Sequence, residues 1–561
     1  MTKQSTRLAV IFGSLGLSIA AFAQTPPPYN AGSALKDAQP VQPGAPRKAP
    51  EPVIIQTEEK PLALPAGQTL TITTFRFEGA DFIPEAELLA LLASFKGQAL
   101  SMSDIEAAAA RITAVYRDRG YLVARAYVPK QDASDGTLTI RVVIGRYGKV
   151  SIRNQSLVGD EPITGYFAGL KPDTAVSRSE LEHSMLLVSD LPGASMPKLT
   201  ISPAETPGAS DFDVDVQPGK RFAGYLYGDN YGSRYTGESR MSVGASLNSP
   251  FRLGDRLDFS GMASDGSGLL NGRLAYSLPL GSSGLRGELA YGKTTYALGD
   301  IYSDLDATGY ADTLETTFSY PLQRSRMQNL KLTLNLAGRQ IRDELGAVSQ
   351  VTEKHAEVAT LGVTHERYGQ LFGRDTYSSI SGSIAFGHLS IGDNEQRALN
   401  QAGANTVGDF SKVDFSFFGR LALTDKLTTS TTLAVQQSLK RNLDSSEQLT
   451  ISGTRGVMAY EQSVSGDSGY LFNAELRYAL PGKFGIDHSV SLFYNTGRVH
   501  LYNADYTTSN GDHLSDVGLG YQLSWQKLFA RAQISRAIDS WPSSVSRDDR
   551  TRFLLQAGMV F

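Results

Sequence analysis

The last ten residues of the chain, 552–561, alternate regularly and end on an aromatic side chain. One face carries Phe553, Leu555, Ala557, Met559 and Phe561, and the other carries Gln556 and Gly558 between Leu554 and Val560. This two-residue period is typical of the closing strand of a transmembrane β-barrel, which has lipid on one face and a lumen on the other. An amphipathic edge strand of another protein could give the same pattern, so the assignment depends on the rest of the chain.

The composition favours membrane strands over membrane helices. Only 41% of the 561 residues are hydrophobic, and beyond the extreme N-terminus no run of about eighteen apolar residues occurs, which a membrane helix would need. A barrel strand needs an apolar side chain only at every second position. The 55 glycines and 25 tyrosines suit twisted strands and aromatic girdles at the two membrane interfaces.

Several classes of function are excluded by what the chain lacks. It has no cysteine, which removes thiol catalysis, thiolate metal sites and disulfides. Its net charge of -4 argues against nucleic-acid binding, which normally needs a basic surface. The seven histidines show no spacing typical of a zinc site. We therefore expect no metal, no cofactor, no nucleic-acid partner and no enzyme activity.

Residues 287–294 match the phosphate-loop pattern letter for letter. That loop requires a buried strand before it and a helix after it. Here 285–296 alternate throughout and no helical pattern follows, so we expect no nucleotide and place Lys293 in the lumen or at the rim.

The N-terminal residues predict export. Residues 1–23 have a basic start, a short apolar stretch over 8–19 and a small-residue cleavage site at 21–23, as in a signal peptide. Residues 24–66 are rich in proline and predict an extended periplasmic tether, in which 30–39 could form a short helix.

Two copies of one small module are predicted at 67–148 and 149–218. The first copy reads as a strand over 70–77, helices from Pro84 and over 103–119, and strands over 122–128 and 137–143. The second reads as a strand from Val150, a helix from Ser177 or Ser179 to Ser189, and strands over 198–201 and 212–216. A single α+β domain of no special role is the alternative.

The remainder, 219–561, contains about sixteen alternating segments, and single-chain bacterial barrels have an even number of strands. Clear examples are 415–423, 472–480 and 519–525. Short connections such as 252–255 and 481–485 alternate with long ones such as 391–408 and 442–468. Short turns belong to the periplasmic rim, which places both termini and the modules in the periplasm. A barrel of about sixteen strands encloses an aqueous channel.

Three short sequences stand out within this region. The first is Gly453-Thr454-Arg455-Gly456-Val457, followed by Ser465-Gly466-Asp467-Ser468-Gly469-Tyr470. The second is Phe493-Tyr494-Asn495-Thr496-Gly497, in which Phe493, Asn495 and Gly497 share one face. The third is Asp229-Asn230-Tyr231-Gly232-Ser233-Arg234-Tyr235-Thr236-Gly237.

With these sequences, the chain resembles the two-partner secretion transporters of the ShlB/FhaC type, within the superfamily of outer-membrane barrels that carry POTRA modules. The resemblance implies α+β periplasmic tandem POTRA modules followed by a sixteen-stranded antiparallel transmembrane β-barrel. It covers nearly all of the chain beyond the signal peptide.

The resemblance also implies that the Arg455 loop folds back into the lumen. The family carries Val-Arg-Gly-Tyr there, so Arg455 and Gly456 match, while Thr454 and Val457 depart. An arginine offers several hydrogen-bond donors, and an adjacent glycine permits a tight loop tip. An arginine exposed in an ordinary surface loop is the alternative.

In the family this arginine pairs with the acid of a Phe-x-Asp-x-Gly pattern, where this chain has Asn495. A guanidinium–amide hydrogen bond would be weaker than the salt bridge that it replaces. The lumenal Glu475 is a second candidate partner. The third sequence resembles the family's Asp-Asn-x-Gly-x-x-x-Thr-Gly through Asp229, Asn230, Gly232, Thr236 and Gly237, although a polar hairpin loop would contain similar residues.

The expected function is secretion of one unfolded exoprotein, of the haemolysin or adhesin type, from the periplasm to the cell surface of a Gram-negative bacterium. The expected partners are this cargo and the outer-membrane lipid, and the expected state is a monomer. The alternatives are an outer-membrane insertase of the same superfamily, a passive porin, or a barrel enzyme such as a lipase.

Overall fold

A computed structural model describes residues 29–38, 54–56, 69–133, 135–206, 208–482, 485–507, 510–539 and 550–561. The predicted signal peptide lies outside the described residues. Within the predicted tether the structure describes a helix, α1, Ala31–Asp37, and a strand, β1, Ile54–Gln56. The helix falls within the stretch for which a short helix was expected. Among the described residues, no helix is both long and apolar enough to cross a membrane.

The first module contains two small sheets and two α-helices. Its elements are β2 Thr69–Thr71, β3 Thr74–Glu78, α2 Glu85–Leu91, a short 3-10 helix Ala93–Phe95, β4 Ala99–Ser101, α3 Met102–Asp118, β5 Arg125–Tyr127 and β6 Thr137–Val143. The sheets have the orders β2-β4 and β3-β6-β5. The strand expected over 70–77 is split, because Thr73 and Thr74 donate their N–H groups to the Gly136 carbonyl in a turn.

The long helix of this module is delimited by local chemistry. At its N-terminus the Ser101 hydroxyl accepts from the Asp104 N–H at 3.3 Å, and the Asp104 carboxylate accepts from the Ser101 N–H at 2.9 Å. This reciprocal pair satisfies two helix-end donors. At its C-terminus Gly120 takes φ +96°, which glycine adopts without a steric penalty.

The second module has one sheet with helices packed against it. Its elements are β7 Arg146–Asn154, α4 Asp160–Phe167, α5 Arg178–Ser189, β8 Lys198–Pro203 and β9 Ala209–Val216. Helix α4 was not predicted from the sequence pattern. The sheet order is β1-β8-β9-β7, and β1 of the tether pairs parallel with β8 at the sheet edge.

The barrel follows directly. Its strands are β10 Phe222–Asp229, β11 Arg240–Asn248, β12 Arg256–Ser264, β13 Leu269–Pro279, β14 Arg286–Ala297, β15 Ala307–Arg324, β16 Gln328–Leu345, β17 Gln350–Leu371, β18 Arg374–Ile391, β19 Gly408–Ala422, β20 Leu427–Ser438, β23 Ser468–Ala479, β24 Ile486–His500, β25 Gly511–Trp525, β26 Leu528–Ala537 and β27 Thr551–Val560. Two short strands, β21 Leu449–Thr450 and β22 Ser465–Gly466, lie in the connection between β20 and β23. The other connections contain a helix, α6 Asn394–Ala402, and short 3-10 helices at Asp265–Ser267, Asp300–Leu305 and Gly346–Val348.

These sixteen barrel strands form one closed antiparallel sheet in which β27 pairs with β10. The strand count and the closure predicted from the sequence are confirmed. The last strand also has the predicted two faces, since Phe553 and Leu555 are 56% and 46% exposed, whereas Leu554 is fully buried. Lys293 lies in the continuous strand β14 on the same outward face as Leu289 and Tyr291, so of the two expected positions, lumen or rim, the lumenal one was wrong.

The second module is attached to the periplasmic rim of the barrel. Arg324, at the end of β15, donates to both carboxylate oxygens of Asp190 at 2.7 and 2.8 Å. The Arg326 N–H donates to Glu182 of α5 at 2.8 Å, and the Gly159 N–H donates to the Arg252 carbonyl at 2.7 Å. These contacts hold the module against the mouth of the channel.

Candidate functional site in the barrel lumen

The connection between β20 and β23, residues 439–467, folds into the lumen; we call it the inner loop. Its residues Ile451, Val457 and Tyr460 are buried in one cluster with the wall residues Leu471, Val499 and Leu514. Burying an apolar side chain of this size contributes about 1.5–3 kcal/mol, so the cluster fixes the loop against the wall.

The tip of the inner loop is a tight turn in which Thr454 and Arg455 occupy the bend. The Val457 N–H donates to the Ile451 carbonyl at 2.7 Å, and the Gly456 N–H donates to the Gly453 carbonyl at 3.0 Å. A Cβ atom on Gly456 would overlap the Ile451 carbonyl. The turn therefore requires glycine at 456, next to Arg455.

Asp467 organises the base of the inner loop. It is fully buried, and its carboxylate accepts from the Leu443 N–H, the Gln448 side chain and the Tyr502 N–H, each at 2.9 Å. Two of these donors come from the first part of the loop, before β21, and the third comes from the connection between β24 and β25. The segment 465–470 stands out in the sequence, but its pattern does not predict this role for Asp467.

Phe493, Asn495 and Gly497 of β24 face the inner loop or its supporting strands. A Cβ atom on Gly497 would lie 2.9 Å from the Cβ of Ile451, so glycine permits the loop to approach. The Phe493 ring covers Gly518 of the neighbouring strand. The Asn495 amide accepts from Asn473 at 2.7 Å and donates to Asp516 at 2.8 Å.

Arg455 and Glu475 have different surroundings. Arg477 donates to Glu475 at 2.9 and 3.0 Å. The charges that act on the Arg455 guanidinium include the attractive carboxylate of Asp37 and the repulsive guanidinium of Arg240. A direct contact of Arg455 with Asn495 or Glu475 stays a prediction.

The tether helix α1 lies inside the barrel, between the wall and the inner loop. The Ala31 N–H donates to Asp343 of the wall at 2.8 Å, and the Ser445 hydroxyl of the loop donates to the Asn30 side chain at 2.6 Å. Lys36 donates to the Gln448 carbonyl of the loop. A Cβ atom on Gly32 would overlap Ser445, so helix and loop are in close contact.

The other face of α1 is apolar. Its small residues allow the helix to pack closely on the wall in one buried cluster, which contains Tyr29, Ala31, Ala34 and Ala38 with Met262, Leu269, Tyr296, Ala311 and Ile341. The Tyr29 and Tyr296 rings meet edge to face with centroids 5.7 Å apart. We call α1 with its flanking residues 29, 30 and 38 the plug.

Ion pairs also join the inner loop to the wall. They were not predicted from the sequence. Glu447 of the loop pairs with Arg339 and, at 3.1 Å, with Lys412. Asp444 pairs with Lys354 at 2.8 Å. Both acids are buried. The available signal was the presence of basic residues in β16, β17 and β19 opposite an acidic loop, but the pairing requires the fold.

The motif at 229–237 lies where the first and last barrel strands meet. The Asn230 side chain donates to the Phe553 carbonyl at 2.9 Å and accepts from the Leu555 N–H at 2.7 Å. Arg552 donates to the Gly232 carbonyl at 2.6 Å. These bonds continue the β10–β27 pairing beyond the end of β10.

The rest of this motif shapes the same connection. Asp229 accepts from Arg240 at 2.8 Å, and Ser264 donates to the Thr236 carbonyl. A Cβ atom on Gly232 would overlap the Gly237 carbonyl, and Gly237 takes φ +96°. The motif thus joins the barrel seam to the wall around the plug.

Small periplasmic modules attached to a closed sixteen-stranded barrel define the class of POTRA-bearing outer-membrane barrels. Residues 208–523 match the family described as haemolysin secretion/activation protein ShlB/FhaC/HecB, and residues 70–145 match the POTRA domain, ShlB-type. The chain belongs to the ShlB/FhaC/HecB family.

Individual proteins agree with this membership. The chain is 25% identical to the heme/hemopexin transporter protein HuxB of Haemophilus influenzae strain 86-028NP, over 85% of this chain and 84% of that protein. It is 24% identical to the outer membrane transporter CdiB of Dickeya dadantii strain 3937, over 86% and 85% of the two chains. The solved structure of CdiB from Escherichia coli superposes with a TM-score of 0.70 at 21% identity, over 94% and 95%.

The protein is therefore an outer-membrane transporter of two-partner secretion, with its POTRA modules in the periplasm. HuxB and CdiB are both named as transporters.

Proposed function

We propose that the protein moves one unfolded exoprotein, of the haemolysin or adhesin type, through its barrel, and that the plug and the inner loop close the channel between transport events. The observation that carries this proposal is the double occupancy of the lumen: the helix packs against the loop, and both pack against the wall. A passive pore would gain nothing from two such elements.

The second module offers a mode of cargo capture. Within the part of the tether that the structure describes, its edge strand β8 pairs with three residues, Ile54–Gln56. Main-chain pairing at a sheet edge depends little on side chains and suits an extended, unfolded polypeptide. A cargo strand would replace β1 at this edge and lie close to the barrel mouth.

Transport requires the plug and the inner loop to move, because together they occupy the path through the barrel. Arg455 at the loop tip, on which the charge of Asp37 of the plug acts, is our candidate for coupling the two movements. Folding of the cargo outside the cell would prevent its return, so no nucleotide is needed. We propose that one chain, embedded in outer-membrane lipid, carries out the cycle as a monomer.

Secretion measured with a matched pair of variants tests this function. The partner exoprotein, sought in the neighbouring reading frame, is quantified in the medium and in the periplasm. Arg455→Ala should lower the amount in the medium by about tenfold while leaving the barrel assembled. Arg374→Ala is the control, since Arg374 lies at an exposed rim turn opposite Asp425. Equal secretion by both variants would contradict the proposed role of Arg455.

The same strains separate transport from membrane-protein insertion. Deleting the gene should abolish secretion of the partner and leave the assembly of other outer-membrane proteins unchanged. A general loss of outer-membrane proteins would instead identify an insertase.

A further inference from the structure

Asp516 of β25 is a fully buried carboxylate on the inner wall, beside the inner loop. One of its oxygens accepts from the Asn495 side chain at 2.8 Å. The other accepts from the Ala459 N–H of the loop at 2.8 Å and from the Ser535 hydroxyl of β26 at 2.7 Å. The carboxylate therefore connects three neighbouring strands to the main chain of the loop.

A buried carboxylate is costly unless donors surround it. Hydrogen bonds from neutral N–H and O–H groups to an ionised acceptor are stronger than those between neutral partners. The donors at Asp516 are of this kind, and the Ala459 N–H belongs to the element that must be held. The geometry is that of an anchor for the loop backbone.

Asp516 lies next to Asn495, the position at which this chain has an amide and the family pattern has an acid. In the pairing of β24 with β25, Asn495 and Asp516 stand directly opposite each other. The position at which the family resemblance implies an acid is thus neutral here, and an acid occupies the nearest site on the next strand. Asn495 remains in the network by donating to that acid.

The charges around Arg455 are different from the groups around Asp516. Arg240 donates to Asp229 at 2.8 Å and to the Asp37 carbonyl at 3.4 Å, which brings the end of the plug to the first barrel hairpin. The Asp37 carboxylate and Arg240 are also among the charges that act on Arg455. The end of the plug and the β10–β11 hairpin therefore meet at Asp37.

We propose that Asp516 is the anionic anchor of the inner loop in this chain and that it holds the loop through the Ala459 main chain. Asp516 is a positioning residue, because it acts through the loop. The importance of this anchor for secretion rests on the proposed function, whereas the docking of the loop is a property of the purified protein.

The absence of native cysteine makes a direct test possible. Met458→Cys places a single thiol beside Ala459, and its rate of reaction with a small maleimide reports release of the loop. Adding Asp516→Asn should raise this rate by about tenfold, because hydrogen bonds to a buried charge are lost. Asp312→Asn, on the outward face, is the control and should leave the rate unchanged.

A double variant that exchanges the acid and the amide provides a stricter test. Asn495→Asp combined with Asp516→Asn returns the acid to the neighbouring strand and should restore part of the protection. If Asp516→Asn does not assemble, Ser535→Ala replaces it in the test, because this variant keeps the charge of Asp516 and removes one of its donors. The maleimide reaction is then expected to be faster in Ser535→Ala. An unchanged labelling rate in the assembled variant, Asp516→Asn or Ser535→Ala, would show that Asp516 does not anchor the loop, whatever the level of secretion.

The coupling of Arg455 to the plug, which belongs to the proposed function, has its own measurement. In bilayer recordings, Arg455→Ala and Asp37→Asn should each increase the frequency of channel opening, and the double variant should add little to either change. Fully additive effects would show that Arg455 does not act on Asp37.

Discussion

Two glycines allow the inner loop to lie against the barrel wall. Gly456 forms the bend next to Arg455, and Gly497 leaves space on the wall for Ile451. Neither glycine takes a positive φ: Gly456 allows the loop to turn tightly past its own Ile451 carbonyl, and Gly497 allows the loop to approach the wall. Such contacts are sensitive to single carbon atoms, because protein interiors are closely packed.

Replacing Gly497 should displace the loop. Gly497→Val would place new carbon atoms where Ile451 now lies, with the first of them 2.9 Å from its Cβ. We expect faster maleimide labelling of Met458→Cys in this background. Gly272→Val is the control, because nothing lies within 4 Å of a Cβ added there. Equal labelling in the two backgrounds would exclude the steric role of Gly497.

At the residue scale the sequence identified part of the site. The two-residue period placed Phe493, Asn495 and Gly497 on one face, and the turn chemistry of Gly456 was expected. Asp516 was not identified, because its bond to the Ala459 main chain follows no sequence pattern. The Asp444 and Glu447 ion pairs depend on a loop folding inward, which alternation of side chains cannot show.

At the scale of elements, the seam between β10 and β27 is a short pairing, from Tyr225–Val560 to Asp229–Gln556. Asn230 adds two side-chain hydrogen bonds beyond its end. A side chain that mimics main-chain pairing lengthens the seam without lengthening the strand. This gives the motif at 229–237 a structural role at barrel closure.

Removing this side chain should weaken the closure. For Asn230→Ala we expect the folded barrel to unfold a few degrees lower in heated detergent gels, since the lost bonds contribute about 1 kcal/mol each. Asn271→Ala is the control. Asn271 makes a side-chain hydrogen bond to Thr294 at 2.8 Å but lies away from the seam. The same loss of stability in both variants would argue against a special role of the seam.

The inner loop depends on buried charge as well as on apolar contacts. Glu447→Gln would leave Arg339 and Lys412 without their shared carboxylate, and breaking a buried pair in this way costs about 3–5 kcal/mol. We expect more frequent channel opening in bilayer recordings. Glu344→Gln, which affects an exposed pair with Arg342, should behave like the unaltered protein. Unchanged opening in Glu447→Gln would mean that these ion pairs do not hold the loop.

At the scale of the whole molecule, the strand number, the closure of the barrel and the preceding small modules followed from periodicity and turn signals. The sequence missed α4 and the pairing of β1 with β8. It also left open whether a helix of the tether enters the channel. These features depend on contacts between residues far apart in the chain, such as Ala31 with Asp343.

The central claim is that the plug and the inner loop close a wide channel. The most direct measurement compares the intact chain with a variant lacking residues 29–38 in planar bilayers. We predict small and infrequent openings for the intact chain and a stable, larger conductance for the variant. Equal conductance of the two proteins, or a stable and large conductance of the intact chain, would contradict the claim and favour a passive pore.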